Sequence, residues 1–307
     1  MDVTEWLLDG DPSIRWQVMR DLTDAPADAV AAERARVARE GWGAGLLALQ
    51  ADDGQWGGGT YSPKWISTTY TLLLLRLLGL DPDSPEAVAA IARVRDGVTW
   101  EGRGGLPFFA GERETCVNSM VLVLGAYFHE RGDHVDRLLE WLLGEQLDDG
   151  GWNCQAPRRS QKASFNTTIL ALEALLEVER SSGPDPIVAA ARVRGEEHLL
   201  ERRLFRSLTT GEVIRTPWTR FSFPPQWHYD VLRALDHLRS TGAPPDPRCD
   251  EAIDLVHRRR RADGRWPLQN THPALRHFEM EDGDGRPSRW NTLRALRVLR
   301  WAEGGRA

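Results

Sequence analysis

Gln50-Ala-Asp-Asp-Gly-Gln-Trp56 and Gln146-Leu-Asp-Asp-Gly-Gly-Trp152 share the spelling Gln-x-x-x-Gly-x-Trp, and Arg260-Arg-Ala-Asp-Gly-Arg-Trp266 keeps all of it but the first residue. The chain is therefore built of repeats. The three motif tryptophans lie 96 and then 114 residues apart, about two units of roughly 50 residues each, a period that points to stacked helix pairs or blades. Asp-Gly is a turn former and a buried indole contributes a large apolar area, so Trp56, Trp152 and Trp266 read as structural. A motif that recurs wherever the fold needs it says little about chemistry, because an active site does not usually repeat.

Outward from these turns, helix starts are marked by a cap followed by proline at Asp11-Pro12, Ser84-Pro85, Asp185-Pro186 and Asp246-Pro247. There the side chain accepts a backbone N–H and the ring presets the first turn. Apolar residues recur at helical spacing and no stretch sustains a period of two, so the chain is expected to be all-α. The spacing places one set of helices near 28–50, 85–96, 133–147, 186–205 and 247–262. A second set falls near 12–22, 66–79, 115–131, 165–181, 227–241 and 290–302. Helices of the second set open on polar residues, as in Thr68-Thr69-Tyr70, Asn118-Ser119-Met120 and Asn166-Thr167-Thr168. Connections into this set are about 13 to 26 residues long, beyond ordinary loops, and long loops on a rigid scaffold commonly carry function. The helix N-termini beside them present partial positive charge suited to an anion such as a phosphate.

Composition bounds the class. The chain has 307 residues, 41% hydrophobic and 27% charged, enough to bury a full core. No linker or composition break divides it, so residues 1–307 are expected to form a single domain. The acidic start, Met1-Asp-Val-Thr-Glu5, lacks an export signal, and the apolar run Leu72 to Leu75 is stopped by Arg76, so no membrane span is expected. Three cysteines cannot all pair, which favours a reducing, cytoplasmic setting. A net charge of −6 spread along the chain argues against a nucleic-acid partner.

The repeated Gln-x-x-x-Gly-x-Trp units, set between an outer and an inner helix, resemble those of the terpenoid cyclase and protein prenyltransferase superfamily over roughly residues 40 to 302. The resemblance implies a single squalene-hopene-cyclase-like α/α toroid of about six helix pairs with a partly aromatic central cavity. A hydrophobic, isoprenoid or isoprenoid diphosphate ligand would bind there, and an inner-helix start would supply acid/base catalysis. A non-catalytic binding or scaffold protein on the same fold is the alternative. The Asp-x-Asp-Asp acid motif of class II cyclases has no match; the nearest string is Asp282-Gly-Asp-Gly285. The Asp-rich metal motif of class I synthases is also missing. Prenyltransferase β subunits bind zinc through Asp-x-Cys and a histidine, to which Glu114-Thr-Cys116 and His228 bear a partial likeness. No metal is firmly expected; zinc and magnesium stay open, as does a second protein subunit.

Candidate catalytic residues are Asp230, His228 and Tyr229, at the start of an inner helix, with Glu114 and Cys116 at another. The capping reading of Asp230 and a packing role for His228 stand beside the catalytic one. Trp65, Asn118, Phe165, Asn166, Phe223, Trp227, Trp290 and Asn291 are the candidate cavity residues. Phe108, Phe109 and Phe221 gather at the same end; the resemblance implies that such rings stabilise a carbocation, by about 0.5–2 kcal/mol each, and alternatively they pin long loops to helices. The lysines Lys64 and Lys162, with Arg220, are the candidate phosphate rim. Arg113, Arg158, Arg159 and Arg289 occupy similar positions, and a solvated surface explains such cations equally well.

Overall fold

The computed structural model describes residues 2–130, 132–156 and 159–304. They are mostly helical. In chain order the helices are α1 (Val3–Leu8), α2 (Pro12–Leu22), α3 (Ala27–Ala35), α4 (Gly41–Ala48), α5 (Thr68–Leu78), α6 (Pro85–Gly97) and α7 (Thr115–Tyr127). Then follow α8 (Asp133–Gly144), α9 (Phe165–Ser182), α10 (Pro186–Glu201), α11 (Val231–Ser240), α12 (Asp250–Arg258) and α13 (Arg289–Gly304). One two-stranded antiparallel ribbon pairs β1 (Thr99–Trp100) with β2 (Leu106–Pro107). No described helix is long and apolar enough to cross a membrane.

Each of the four cap-proline signals opens a helical segment. Asp11 accepts from the Ser13 N–H, Ser84 from Ala87 and Asp185 from Ile187, while Asp246 caps a 3-10 turn, Pro247–Cys249, that leads into α12. Other boundaries differ from the periodicity. The helix expected at 28–50 is broken into α3, a 3-10 turn (Arg36–Ala38) and α4. Gly41 at φ 63° turns the chain, and Gly43 lies so close to Val37 that a Cβ would be 2.2 Å from its carbonyl oxygen. Helix α7 stops at Tyr127, four residues early, just before His129 takes a positive φ of 57°. Neither α1, held by an Asp2–Glu5 capping box, nor the ribbon was visible as a period.

Close packing divides the chain into two compact units. The first comprises Met1–Arg36, Leu199–Pro273 and Phe278–Ala307, and the second Val37–His198 with Ala274–His277. In the second unit α7 packs along α9, α5 on α7, α4 on α5 and α8 on α7. Every residue of α7 from Val117 to Ala126 is buried, which is how a helix apolar on all sides must be placed. Each Leu or Val in it contributes about 1.5–3 kcal/mol of burial. Arg76 of α5 reaches Glu177 of α9 at 2.6 Å, both side chains largely buried.

In the first unit α13 packs on α2, α11 and α12. Its Arg297 donates to Gln17 (2.9 Å) and Asp21 (3.1 Å) of α2 and to Asp236 (3.0 Å) of α11. Burial pushes the Asp236 carboxyl up, but the guanidinium groups of Arg297, Arg239 and Arg294 outweigh it and hold the group well below the usual carboxylate range. Removing one partner of such a buried network strands a charge, at a cost of about 3–5 kcal/mol.

The three repeat turns are one object built three times. The indole N–H of Trp56, Trp152 and Trp266 donates to Leu46, Leu142 and Val256 respectively, at 2.7–2.8 Å, and all three rings are fully buried. Each tryptophan's backbone N–H donates to a threonine hydroxyl in the first turn of a later helix: Thr68 of α5, Thr168 of α9 or Thr292 of α13. Gln50 and Gln146 donate across the turn to the carbonyls of Gly54 and Gly150, and onward to Ala90 and Ala191. In the third turn Arg260 takes the glutamine's place, donating to Gly264 at 3.4 Å and lying over the Trp266 ring. Gly54, Gly150 and Gly264 all hold φ between 79° and 87°. A Cβ on Gly54 or Gly150 would also sit 2.4–2.5 Å from a backbone carbonyl.

Candidate functional site

Two groups of chemically capable side chains emerge, one in each unit, at loop-to-helix junctions. In the first unit the segment before α11 is not helical: Asp230, at φ −142°, is the cap, and α11 begins at Val231. Asp230 is buried, accepts from the N–H groups of Arg233 (2.8 Å) and Ser222 (3.2 Å), and faces Arg294 at 4.0 Å. Burial raises its pKa, and the Arg294 charge and backbone bonds offset part of that. It thus ties Ser222 to the start of α11. Tyr229 is buried edge-on against Trp218, with its hydroxyl donating to the Leu204 carbonyl at 2.6 Å. Trp227, His228 and His272 form a continuous stack, with ring centroids 3.8 and 3.6 Å apart. Burial, reinforced by the Arg233 charge, pulls His272 down to about 4, so its imidazole is neutral at pH 7. Arg233 also donates to the carbonyls of Gln226 and His228, which fixes the sharp bend at Gln226.

At the start of α13 the ring of Trp290 stacks on Phe223 at 4.3 Å, nearly parallel. Glu281 lies against the same helix start: its Oε1 accepts from the Ser288 hydroxyl at 2.5 Å and from the Trp290 N–H at 3.4 Å. Burial drives its pKa up to about 7, beyond what those two bonds lower, with Asp282 adding to the rise. A half-protonated carboxyl beside an aromatic stack is equipped for proton transfer near neutrality. Asn291 spends its amide on the carbonyls of Phe221 and Pro267.

The second unit gathers different chemistry. Trp65 meets Tyr70 edge-on at 4.8 Å, Tyr61 lies 5.2 Å from Tyr70, and the Lys64 ammonium stands 5.6 and 5.5 Å from the Tyr61 and Trp65 rings. Burial pushes the Tyr61 phenol up to about 12 and Tyr70 higher, so both are neutral. Cys116, at the start of α7, donates to Glu114 at 3.7 Å, and Cys154, in the loop before α9, donates its backbone N–H to the Thr167 hydroxyl at 3.4 Å. Asn118 closes a reciprocal pair with Glu112, its amide donating to the Glu112 carbonyl and its oxygen accepting from the Glu112 N–H. Phe165 packs edge-on to His198, whose ring bonds the Asp149 carbonyl of the second repeat turn. Asn166 lies half-buried in the first turn of α9.

Lys64, Lys162, Arg113 and Arg159 are in the second unit, and Arg220 and Arg289 in the first. Lys64, Lys162 and Arg220 are exposed; Arg158 lies outside the described residues. Among the described residues no group of three or more His, Cys, Asp or Glu is arranged to hold a metal ion. Glu114 and Cys116 are neighbours in the second unit, and His228 is stacked between Trp227 and His272 in the first. A cleft of about 480 Å³ in the second unit, lined by Leu122, Val135, Val178 and Val188, and one of about 640 Å³ in the first, lined by Arg203, Arg206 and Glu251, contain none of the candidate residues. Glu281, His272, Cys154, Tyr61 and Tyr70 are members of the two groups that the sequence reading left out.

No protein-family model matches the chain, and no curated protein matches it. Among solved structures it is similar to the apo form of type II terpene cyclase MstE from Scytonema, at 17% identity and a TM-score of 0.45 over 99% of this chain and 88% of that one. The apo structure of a variant of the same cyclase gives 18% identity and a TM-score of 0.44, over 99% and 87%.

Proposed function

We propose that this chain is an enzyme that acts on a hydrophobic, isoprenoid-type substrate by proton-initiated chemistry, with Glu281 as the acid. The observation that carries this is the placement of Glu281: a half-buried carboxyl with its pKa near 7, bonded to the first turn of α13 and adjacent to the Phe223–Trp290 stack. A carboxylic acid protonates an alkene only if it is neutral before the step and dry enough for its proton to be reactive. Aromatic faces then stabilise the carbocation, at about 0.5–2 kcal/mol per ring. The proton leaves from a neighbouring carbon, so the product is an isomer of the substrate. Asp230 and His228 act in this reading as positioning residues that hold the 221–230 segment and its rings. The single-domain α/α toroid that the repeat resemblance implies belongs to the same proposal.

Incubation in D2O with geranylgeranyl diphosphate and, separately, with the free alcohol tests it. The reading predicts an isomeric product carrying one deuterium, formed at least 100-fold more slowly by Glu281→Gln, in keeping with the roughly 10²–10⁴-fold contribution of a general acid. A rise in melting temperature with ligand but no product would replace it with the binding-protein alternative. Neither product nor shift would overturn both.

A further inference from the structure

Ser288 stands where the third repeat turn, the start of α13 and Glu281 meet. Its backbone N–H donates to the Trp266 carbonyl at 2.8 Å, so the repeat turn itself fixes its place. Its hydroxyl oxygen accepts from the Asn291 N–H at 2.9 Å, which caps α13. The same hydroxyl donates to Glu281 Oε1 at 2.5 Å. The second repeat has a serine in the matching position: the Ser164 N–H donates to the Trp152 carbonyl, also at 2.8 Å, but its side chain makes no cap bond to α9. The backbone bond therefore belongs to the repeat, whereas the two hydroxyl bonds of Ser288 are added at the turn beside Glu281.

Ser288 is fully buried, and a buried hydroxyl left without an acceptor is costly, so its hydrogen points at Glu281 Oε1. The Trp290 N–H reaches the same oxygen at 3.4 Å. In a neutral carboxyl the carbonyl oxygen is the better acceptor, which makes Oε1 the carbonyl and leaves the hydrogen on Oε2. Taking Glu281 as the acid, the reading on which this rests, we propose that Ser288 is its positioning residue: it places the reactive hydrogen on Oε2 and holds the carboxylate once that hydrogen has gone. In the transfer the Oε2–H bond breaks, its electron pair stays on the carboxylate, and a C–H bond forms from the π pair of the alkene. The proton lost later from a neighbouring carbon restores the balance. Burial pushes the Glu281 carboxyl up to about 7 and the Ser288 bond pulls against it, since a donor favours the charged form.

The test titrates the Glu281 carboxyl in the intact chain by carbon NMR with labelled glutamate, using Glu281→Gln to assign the signal. Ser288→Ala should move the midpoint from near 7 to about 8–9, the loss expected for one hydrogen bond to a charged group. Ser288→Thr, which keeps the hydroxyl, and Ser164→Ala, which removes the matching serine, should leave it near 7. At pH 6, where the acid is protonated in wild type and variant alike, deuterium incorporation into product should slow by at least about 10-fold in Ser288→Ala and recover in Ser288→Thr. A wild-type midpoint near 7 that Ser288→Ala leaves in place would overturn this proposal alone. A wild-type midpoint near the ordinary 4.3 would overturn the acid reading and this proposal with it. Should Ser288→Ala not fold, the infrared carbonyl stretch of protonated Glu281 in the wild type decides: a hydrogen-bonded Oε1 predicts a frequency below that of a free carboxyl carbonyl, and an unlowered one contradicts the assignment.

Discussion

The turns at Trp56, Trp152 and Trp266 use the same hydrogen bonds, but the loops that leave them have nothing in common. Each loop is pinned at both ends by one bond, from the tryptophan N–H to a threonine hydroxyl, and the sequence between those ends spans 12, 16 and 26 residues. The first loop carries Tyr61, Lys64 and Trp65, the second Cys154 and Lys162, the third His272 and Glu281. A constant frame that fixes loop ends lets the contents vary without loss of the fold. Chemistry is therefore to be sought in what differs between repeats, and stability in what is shared.

The largest expected effect tests the shared part. Trp56→Ala, Trp152→Ala and Trp266→Ala should each lower stability by about 3–5 kcal/mol in denaturant unfolding, because each removes a fully buried indole. A loss below about 1 kcal/mol at any one would show that the three turns are not equivalent.

Next comes the variable part. Glu281 is raised from 4.5 to about 7 in the folded chain, so between those values the folded state binds more protons than the unfolded one. Stability from this group is complete below about pH 4.5 and is lost as pH rises through 7. Glu281→Gln should remove that slope and stabilise the protein at pH 8 by up to about 3 kcal/mol, at 1.36 kcal/mol per pKa unit. Melting curves at pH 5 and pH 8 check this, and a variant less stable at pH 8 would put Glu281 among the structural residues.

A smaller effect concerns the loop ends. Thr68→Val, Thr168→Val and Thr292→Val each strand a buried tryptophan N–H and should cost about 1–2 kcal/mol apiece by chemical unfolding. Unequal losses would rank how tightly each loop is held. The smallest is Arg260→Gln, which restores the repeat's first residue in the third turn. Arg260 already donates to Gly264 as Gln50 and Gln146 do to their glycines, so stability should change by less than about 0.5 kcal/mol in the same assay.

These contrasts also explain what could be read from the chain. The repeat turns and the cap-proline starts are encoded within a few residues, and turn chemistry is local, so they were legible. The polar openings of α5, α9 and α13 were noticed, but their use was not, since Thr68, Thr168 and Thr292 bond tryptophans 12 to 26 residues away. The break at Gly41 was lost because apolar spacing continues through Trp42 and Leu46 as if one helix ran on. Glu281 sits among Glu279, Asp282 and Asp284, a run that reads as solvated loop until the fold brings it to Ser288 and Trp290. Cys154 likewise gives no signal except its place two residues after a repeat tryptophan, in the part of the repeat that varies.

Isotope-edited infrared spectroscopy of the carboxyl groups, comparing wild type with Glu281→Gln from pH 4 to pH 9, addresses the central claim that a neutral acid is held at the start of α13. The account predicts one protonated carboxyl band that persists at pH 6, titrates near pH 7 and is absent from the variant. A band that disappears with the ordinary carboxylates, near pH 4.3, would leave the chain without its proton donor and contradict the account.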